Sequence, residues 1–288
     1  MALYLRFPQG KSHAFTLSYD DGVESDFRLA ELMKKNGVKG TFNVNTGRFA
    51  SEDFVPAPDA YSVRMTKKRF LQFAEETRDF AEIAAHGATH ANLDLMESGA
   101  AVWEVISDRK ELETLLGRPC RGFAYANGRF NDTAVAALEM SNFLYARTTK
   151  NVTNFALPTD PYRWACNCHH TNELLWEYTE KFLASPENGR STPYFFSVWG
   201  HSYEFNKDNN WDLIEKFLEK IGNRENVWYC TNEEFFRYLK AWKSLEYFAD
   251  QSAVYNPTAT SVFLRISTTK KEPRTVEVKP GETVSLVP

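Results

Sequence analysis

Short apolar runs alternate with amphipathic stretches from about residue 13 to residue 242, and this pattern constrains the fold more than any other feature. The segment HAFTLSYDDG, residues 13–22, predicts a buried strand that ends in an acidic turn. Residues 23–36 carry apolar side chains at helical spacing, and Asn36-Gly37 predicts the end of that helix. The strand-forming run KGTFNVN follows directly. This order predicts βα units built around a parallel sheet.

The same alternation continues through the middle of the chain. Thr231 and Glu234 have the spacing of a capping box, in which each side chain satisfies a free backbone N–H group. This pair predicts the start of the last helix of the α/β domain. Strands are predicted near residues 80–85, 122–126, 143–146, 194–199 and 227–230, and helices over residues 102–116 and 211–221.

The C-terminal segment, residues 253–288, has a different pattern. SVFLRIS, TVEVK and TVSLV alternate apolar and polar residues, and the turn-forming sequences KKEP and PGE separate them. This pattern is typical of short antiparallel strands. We therefore expect an α/β domain over residues 1–245 and a small antiparallel β module over residues 246–288 that packs on it.

Composition excludes several classes of protein. The chain is 43% hydrophobic and 25% charged with a net charge of -4, which is typical of a soluble globular protein with a sizeable core. Lys and Arg are scattered, whereas a nucleic-acid partner requires a concentrated basic face. We expect no membrane span and no export signal, so a cytoplasmic location is the default and an extracellular mature form stays open. The 4 cysteines lack paired spacing and predict reduced thiols.

Three motifs follow predicted strand ends, where parallel α/β sheets and barrels place their active sites. Asp20 and Asp21 form a DDG turn, in which one carboxylate could bind a metal while the other stays free as a base. His86 and His90 are spaced so that both imidazoles could bind one ion. His201 follows the run YFFSVWG and could donate a proton to a leaving group.

Each of these motifs is common by itself, because Asp is favoured in turns and most single histidines are structural. Their occurrence together, each at a strand end, indicates a metal site. One Asp and two His leave coordination positions open for water, as in catalytic rather than structural centres. Zinc is the default ion for such ligands, and cobalt, nickel or manganese would also suit them.

With these motifs, the chain resembles the polysaccharide deacetylases of the NodB-homology type, carbohydrate esterase family four, over roughly residues 10–242. The resemblance implies a distorted (β/α) barrel, here with the C-terminal β module added to it. It also implies a divalent metal held by one Asp and two His, a second Asp as base and a His as acid. Those places are filled by Asp21, His86 and His90 for the metal, Asp20 for the base and His201 for the acid. Gly87 stands where the family usually has Ser or Thr.

The third motif of the family departs most from the expected pattern. FAYANG aligns with it and has Ala124 where the family has an Arg that pairs with the base. Arg121 or Arg147 could supply that charge, and we favour Arg147 because it follows a predicted strand. Tyr125 and Asn127 are expected beside the substrate, with the backbone N–H of Asn127 serving the oxyanion.

A fourth motif of the family supplies a Trp wall and an Asp that tunes the acid histidine. DPYRWACNCHH offers Trp164 and Asp160 for these roles. His169, which follows them, either contacts substrate or is part of a solvated loop. Trp199, next to the acid-histidine motif, is also expected at the substrate.

These features predict a metal-dependent hydrolase that removes N- or O-acetyl groups from an acetylated carbohydrate. Two other interpretations stay open at this point. One is a metal hydrolase of another class, such as a phosphoesterase, although the sequence has no Gly-rich phosphate loop. The other is a carbohydrate-binding relative without activity, which the missing third-motif Arg favours. The pattern predicts neither the oligomeric state nor the substrate.

Overall fold

The computed structural model describes residues 2–186, 193–267 and 272–287. The strands in chain order are β1 (Ala2–Arg6), β2 (His13–Asp20), β3 (Gly40–Val44), β4 (Ala81–Ala85), β5 (Gly122–Ala124), β6 (Tyr145–Asn151), β7 (Trp164–Cys166), β8 (Cys168–His169), β9 (Tyr194–Gly200), β10 (Val227–Tyr229), β11 (Glu246–Tyr247), β12 (Ala253–Tyr255), β13 (Val262–Ser267), β14 (Arg274–Val278) and β15 (Thr283–Ser285). The α-helices are α1 (Asp26–Lys35), α2 (Lys67–Thr77), α3 (Ser98–Leu116), α4 (Asp132–Met140), α5 (Leu175–Leu183), α6 (Tyr203–Lys207), α7 (Trp211–Ile221) and α8 (Asn232–Lys243).

A parallel sheet forms the centre of the molecule. Its strands follow the order β7-β6-β5-β4-β3-β2-β9-β8, and β10 pairs with the first half of β2. β7 pairs with β6 at one end of this order and β8 pairs with β9 at the other, and only Asn167 separates β7 from β8 in sequence. The segment 164–169 therefore joins the two ends of the sheet and closes it. The predicted distorted (β/α) barrel is confirmed.

Alternation along β2 separates an apolar layer from a polar barrel interior. Phe15, Leu17 and Tyr19 belong to the core that packs the sheet against its helices. Side chains of the intervening residues point the other way. Thr16 bonds to Asn232 there, and Ser18 accepts hydrogen bonds from the amides of Asn232 and Asn43. This polar interior leads to Asp20 at the end of the strand.

The capping box of the last barrel helix is confirmed. Thr231 accepts a hydrogen bond from the Glu234 backbone N–H, and the Glu234 side chain accepts one from the Thr231 N–H.

Within the described residues, every helix is too short or too polar to cross a bilayer.

The C-terminal strands form two small antiparallel sheets, with the orders β1-β13-β14 and β11-β12-β15. Ala2–Arg6 pairs antiparallel with Val262–Ser267, so the first strand of the chain belongs to a C-terminal sheet. Tyr238 of α8 joins the two parts, because its hydroxyl donates to Arg6 O and accepts from the Phe263 N–H. The division at residue 245 stays a prediction. Part of the predicted KKEP turn lies outside the described residues.

Candidate active site

The carboxylates of Asp20 and Asp21 diverge because the backbone turns sharply where β2 ends. Asp20 is the last residue of the strand, whereas Asp21 has φ 93° and Gly22 has φ 64°. A positive φ is costly for a residue with a Cβ and persists only where the surroundings impose it. Here the Asp21 N–H donates to Asn43 O at 2.9 Å, and Arg64 binds both the carboxylate and the carbonyl oxygen of Asp21.

The two histidines of the second motif lie in a loop after β4 that α3 holds in place. Asp108 Oδ2 accepts the His86 backbone N–H at 2.9 Å, and Glu104 Oε1 accepts the Thr89 N–H at 2.6 Å. Gly87 has φ 80°, and a Cβ there would lie 3.2 Å from Glu104 Oε1. The left-handed turn therefore explains why glycine replaces the usual Ser or Thr.

Asp21, His86 and His90 come together at the mouth of the barrel. Asp21 Oδ1 lies 3.7 Å from His90 Nε2 and 4.0 Å from His86 Nε2. Each of the three residues offers one ligand atom, and these atoms all lie within 4.8 Å of one another. The spacing leaves room for one cation between them.

The chemistry of these donors fits a divalent metal. His86 Nδ1 donates to Ala124 O at 2.8 Å, which leaves the lone pair on Nε2, and that buried Nε2 has no hydrogen-bond partner among the described residues. Metal-binding histidines usually donate their other ring N–H to a carbonyl or carboxylate in this way, which fixes the orientation of the ring. Burial lowers the pKa of His86, and burial together with His86 lowers the pKa of His90 to about 4. Both imidazoles are therefore neutral, as metal ligation requires.

Asp20 is buried beside this group and is paired with Arg147. Nη2 of Arg147 donates to both carboxylate oxygens of Asp20, and its distance to Oδ1 is 2.6 Å. Asn43 Nδ2 also donates to Oδ1, at 2.8 Å. Burial alone would raise the pKa of Asp20, but the charge and hydrogen bonds of Arg147, together with the charge of His201, lower it to about 2. Arg147 thus occupies the position expected for the missing third-motif Arg, whereas Arg121 binds Asn142 at the surface.

His201 and His86 both lie close to the same carboxylate oxygen of Asp20. Asp20 Oδ2 is 4.0 Å from His201 Nε2 and 3.9 Å from His86 Nε2. The opposite ring nitrogen, Nδ1, lies 3.2 Å from Glu204 Oε2. Burial alone would lower the pKa of His201, but the nearby carboxylate of Glu204 and the charge of Asp20 raise it. This environment favours the protonated imidazole.

Glu204 was not identified from the sequence, where Asp160 was expected to tune the acid histidine. Asp160 instead pairs with Arg163 at 2.8 Å and caps the Tyr162 N–H. Glu204 follows His201 by three residues at the start of α6, so one turn of helix brings its carboxylate back to the imidazole. That i, i+3 spacing is the sequence signal from which Glu204 could have been identified.

His169 and Trp199 join the same side of the site. His169 Nε2 lies 3.0 Å from Glu204 Oε2, and the His169 ring lies 4.5 Å from that of Trp199. The Arg147 guanidinium lies over the Trp199 ring at 4.9 Å. These two predicted site residues therefore adjoin Asp20 through Arg147 and His201 through Glu204.

The structure does not bring Trp164 and the Tyr125 side chain into this group. Trp164 is buried in the core against Tyr145 and Phe236, with ring distances of 5.9 and 5.2 Å. Tyr125 is also buried, and its hydroxyl donates to Tyr162 O. Asn127 lies after β5, where its exposed side chain donates to Asn92. Both aromatic rings thus pack the barrel wall.

Comparison with known protein families identifies the first half of the barrel. Residues 8–146 match the family model described as polysaccharide deacetylase. A comparison with curated proteins gave no significant match.

One solved structure of this class shares the fold of this chain, and two others align with TM-scores below 0.5. A polysaccharide-deacetylase-type protein from Mycobacterium smegmatis aligns at 15% identity and a TM-score of 0.57, over 84% of this chain and 95% of that one. A deacetylase from Streptococcus pyogenes, solved with acetate, aligns at 22% identity and a TM-score of 0.41, over 46% of this chain and 55% of that one. A family 4 carbohydrate esterase from Streptomyces lividans, also solved with acetate, aligns at 12% identity and a TM-score of 0.47, over 75% of this chain and 91% of that one.

Proposed function

Because residues 8–146 match the polysaccharide deacetylase family model and the chain has the fold of such a protein, we propose that it is a metal-dependent hydrolase that removes an acetyl group from the nitrogen or oxygen of a carbohydrate. One observation carries this proposal. Asp20 lies within 4.0 Å of both a candidate metal ligand, His86, and the candidate acid, His201. The site therefore combines a cation position with one group that can accept a proton and one that can donate it.

The chain's own residues divide the proton transfers between them. A divalent metal held by Asp21, His86 and His90 would polarise the acetyl carbonyl and make water more acidic. Asp20, ionised because its pKa is about 2, accepts the proton of the attacking water. His201, with its raised pKa, donates a proton to the leaving nitrogen or oxygen.

The arrangement supports a single-metal site rather than the two-metal clamp of many phosphoesterases. His169, His201 and Glu204 also bring their ligand atoms close together. However, His169 Nδ1 accepts the Thr171 N–H at 3.2 Å, so Nε2 carries the hydrogen and donates it to Glu204. A second ion would have to break this hydrogen bond.

Acetate release from a panel of N- and O-acetylated oligosaccharides tests the proposal. We expect release by the purified protein, loss of release after chelation, and recovery when zinc, cobalt or manganese is added back. Absence of acetate from every substrate, although metal analysis finds the site filled, would favour a binding protein without activity. Phosphate release from a nitrophenyl phosphate without acetate release would favour a phosphoesterase.

The Glu204→Gln variant is expected to move the alkaline limb of the kcat/KM profile to lower pH. His201 must be protonated to act as an acid, so activity falls as pH rises through its pKa. Glu204 raises that pKa, and the neutral amide would remove this contribution. The measurement is kcat/KM from pH 5 to pH 10, with Glu215→Gln as an exposed control. An unchanged alkaline limb would show that Glu204 does not act through His201.

A further inference from the structure

Arg64 reaches the candidate metal ligand Asp21 from an irregular segment between β3 and α2. Its position is set by the backbone, because residues 63–65 pair with residues 22–24. The Met65 N–H donates to Gly22 O at 3.1 Å, and the Glu24 N–H donates to Val63 O at 2.8 Å. Arg64 Nη2 then donates to Asp21 Oδ1 at 2.9 Å, and Nη1 donates to Asp21 O.

Asn45 connects this arginine to the histidine loop. Its Oδ1 accepts a hydrogen bond from Arg64 Nη1 at 3.0 Å. Its Nδ2 donates to the carbonyl oxygens of His86 and Gly87, at 2.8 and 2.7 Å. Asn45 is 1% exposed, so these bonds form away from solvent. The two side chains thus link the Asp21 turn directly to the loop that carries both histidines.

The metal ligands need such support because two of them have left-handed backbone conformations. Asp21 has φ 93° and His90 has φ 63°. Such a conformation is unfavourable for a residue with a Cβ and persists only where surrounding contacts impose it. We propose that Arg64 and Asn45 form a clasp that positions Asp21 against His86 and His90 and thereby sets the affinity of the site for a divalent metal. This inference rests on the metal site of the proposed function.

The positive charge of Arg64 and its hydrogen bonds have opposite effects on the affinity for a divalent metal. A guanidinium on Asp21 Oδ1 reduces the negative charge available to a cation, whereas the fork of bonds fixes the ligand geometry. Asn45 is neutral, so removing it tests positioning without changing charge. Removing a side chain that orients a metal ligand typically weakens metal binding about 10–100-fold, and we expect this positioning effect to exceed the effect of the Arg64 charge.

Calorimetric titration of the metal-free full-length chain with Zn²⁺ alone tests the clasp. We expect Asn45→Ala and Arg64→Met each to weaken Zn²⁺ binding by about tenfold or more. Arg64→Lys keeps the charge but loses the pair of hydrogen bonds to Asp21, and it should also bind Zn²⁺ more weakly than the wild type. Arg69→Met is the matched control, because Arg69 pairs with Glu24 rather than with a metal ligand. The visible spectrum of the Co²⁺ forms gives a second readout, and we expect it to change in both clasp variants.

Wild-type affinity in Asn45→Ala, or tighter Zn²⁺ binding in Arg64→Met, would overturn the clasp. If Asn45→Ala does not fold, the half-buried Arg64 still provides the test through its Lys and Met variants. A wild-type chain that binds no Zn²⁺ would overturn both the clasp and the proposed metal site. Tight wild-type binding without acetate release would count against the proposed function and leave the affinity comparison valid.

Discussion

The Asp20→Asn variant is expected to release acetate with a kcat about 10²–10⁴-fold below that of the wild type while still binding metal. An amide cannot accept the proton of the attacking water, and Asp20 is the carboxylate that lies within 4.0 Å of both His86 and His201. Metal should remain, because Asp21 rather than Asp20 is the candidate ligand. The measurement is kcat at saturating substrate, together with metal content.

Asp160→Asn is the matched control for this experiment. Asp160 belongs to the same sequence region that the family resemblance associates with catalysis, but it pairs with Arg163 at the surface. We expect kcat close to that of the wild type. Loss of metal together with activity in Asp20→Asn would contradict the division of roles between the two adjacent carboxylates. Retained activity would exclude Asp20 as the base.

The Arg147→Met variant is expected to lower the free energy of unfolding by about 3–5 kcal/mol at pH 7, because it would leave the carboxylate of Asp20 buried and unpaired. Arg147 is 0% exposed and Asp20 is 3% exposed. Removing both charges in the double variant Asp20→Asn/Arg147→Met should restore much of the loss, since no uncompensated charge remains. Urea denaturation of the three chains measures this difference.

The sign of the pH dependence follows from the pKa of Asp20, which is about 2 in the folded protein against an ordinary value of 3.8. The stability that this pair contributes is present above about pH 4 and is lost as pH falls toward 2. The difference between wild type and Arg147→Met should therefore shrink over that range. Arg163→Met, which breaks two exposed ion pairs, should lower the free energy of unfolding much less than Arg147→Met does. An equal loss in both Arg variants would argue against the buried-charge explanation.

The local order of the sequence was sufficient to predict βα units around a parallel sheet and the centre of the candidate site, and the family resemblance implied the closed barrel. Apolar alternation gives strands and helices in turn, and parallel strands place their carboxyl ends at one edge. Residues at or just after the ends of such strands therefore meet, as Asp20, His86 and His201 do. The preference for Arg147 over Arg121 assumed that Arg147 follows a strand; the structure pairs Arg147 with Asp20 but places it inside β6.

The tertiary structure decided which distant groups complete that arrangement, because their contacts depend on how segments pack rather than on local periodicity. Asn45 meets Arg64 through a segment without regular structure, and the first strand pairs with β13 from the other end of the chain. Trp164 had a suitable position in the sequence, but its large apolar ring is buried in the barrel core. Glu204 took the place expected for Asp160, since a helical turn returns its carboxylate to His201.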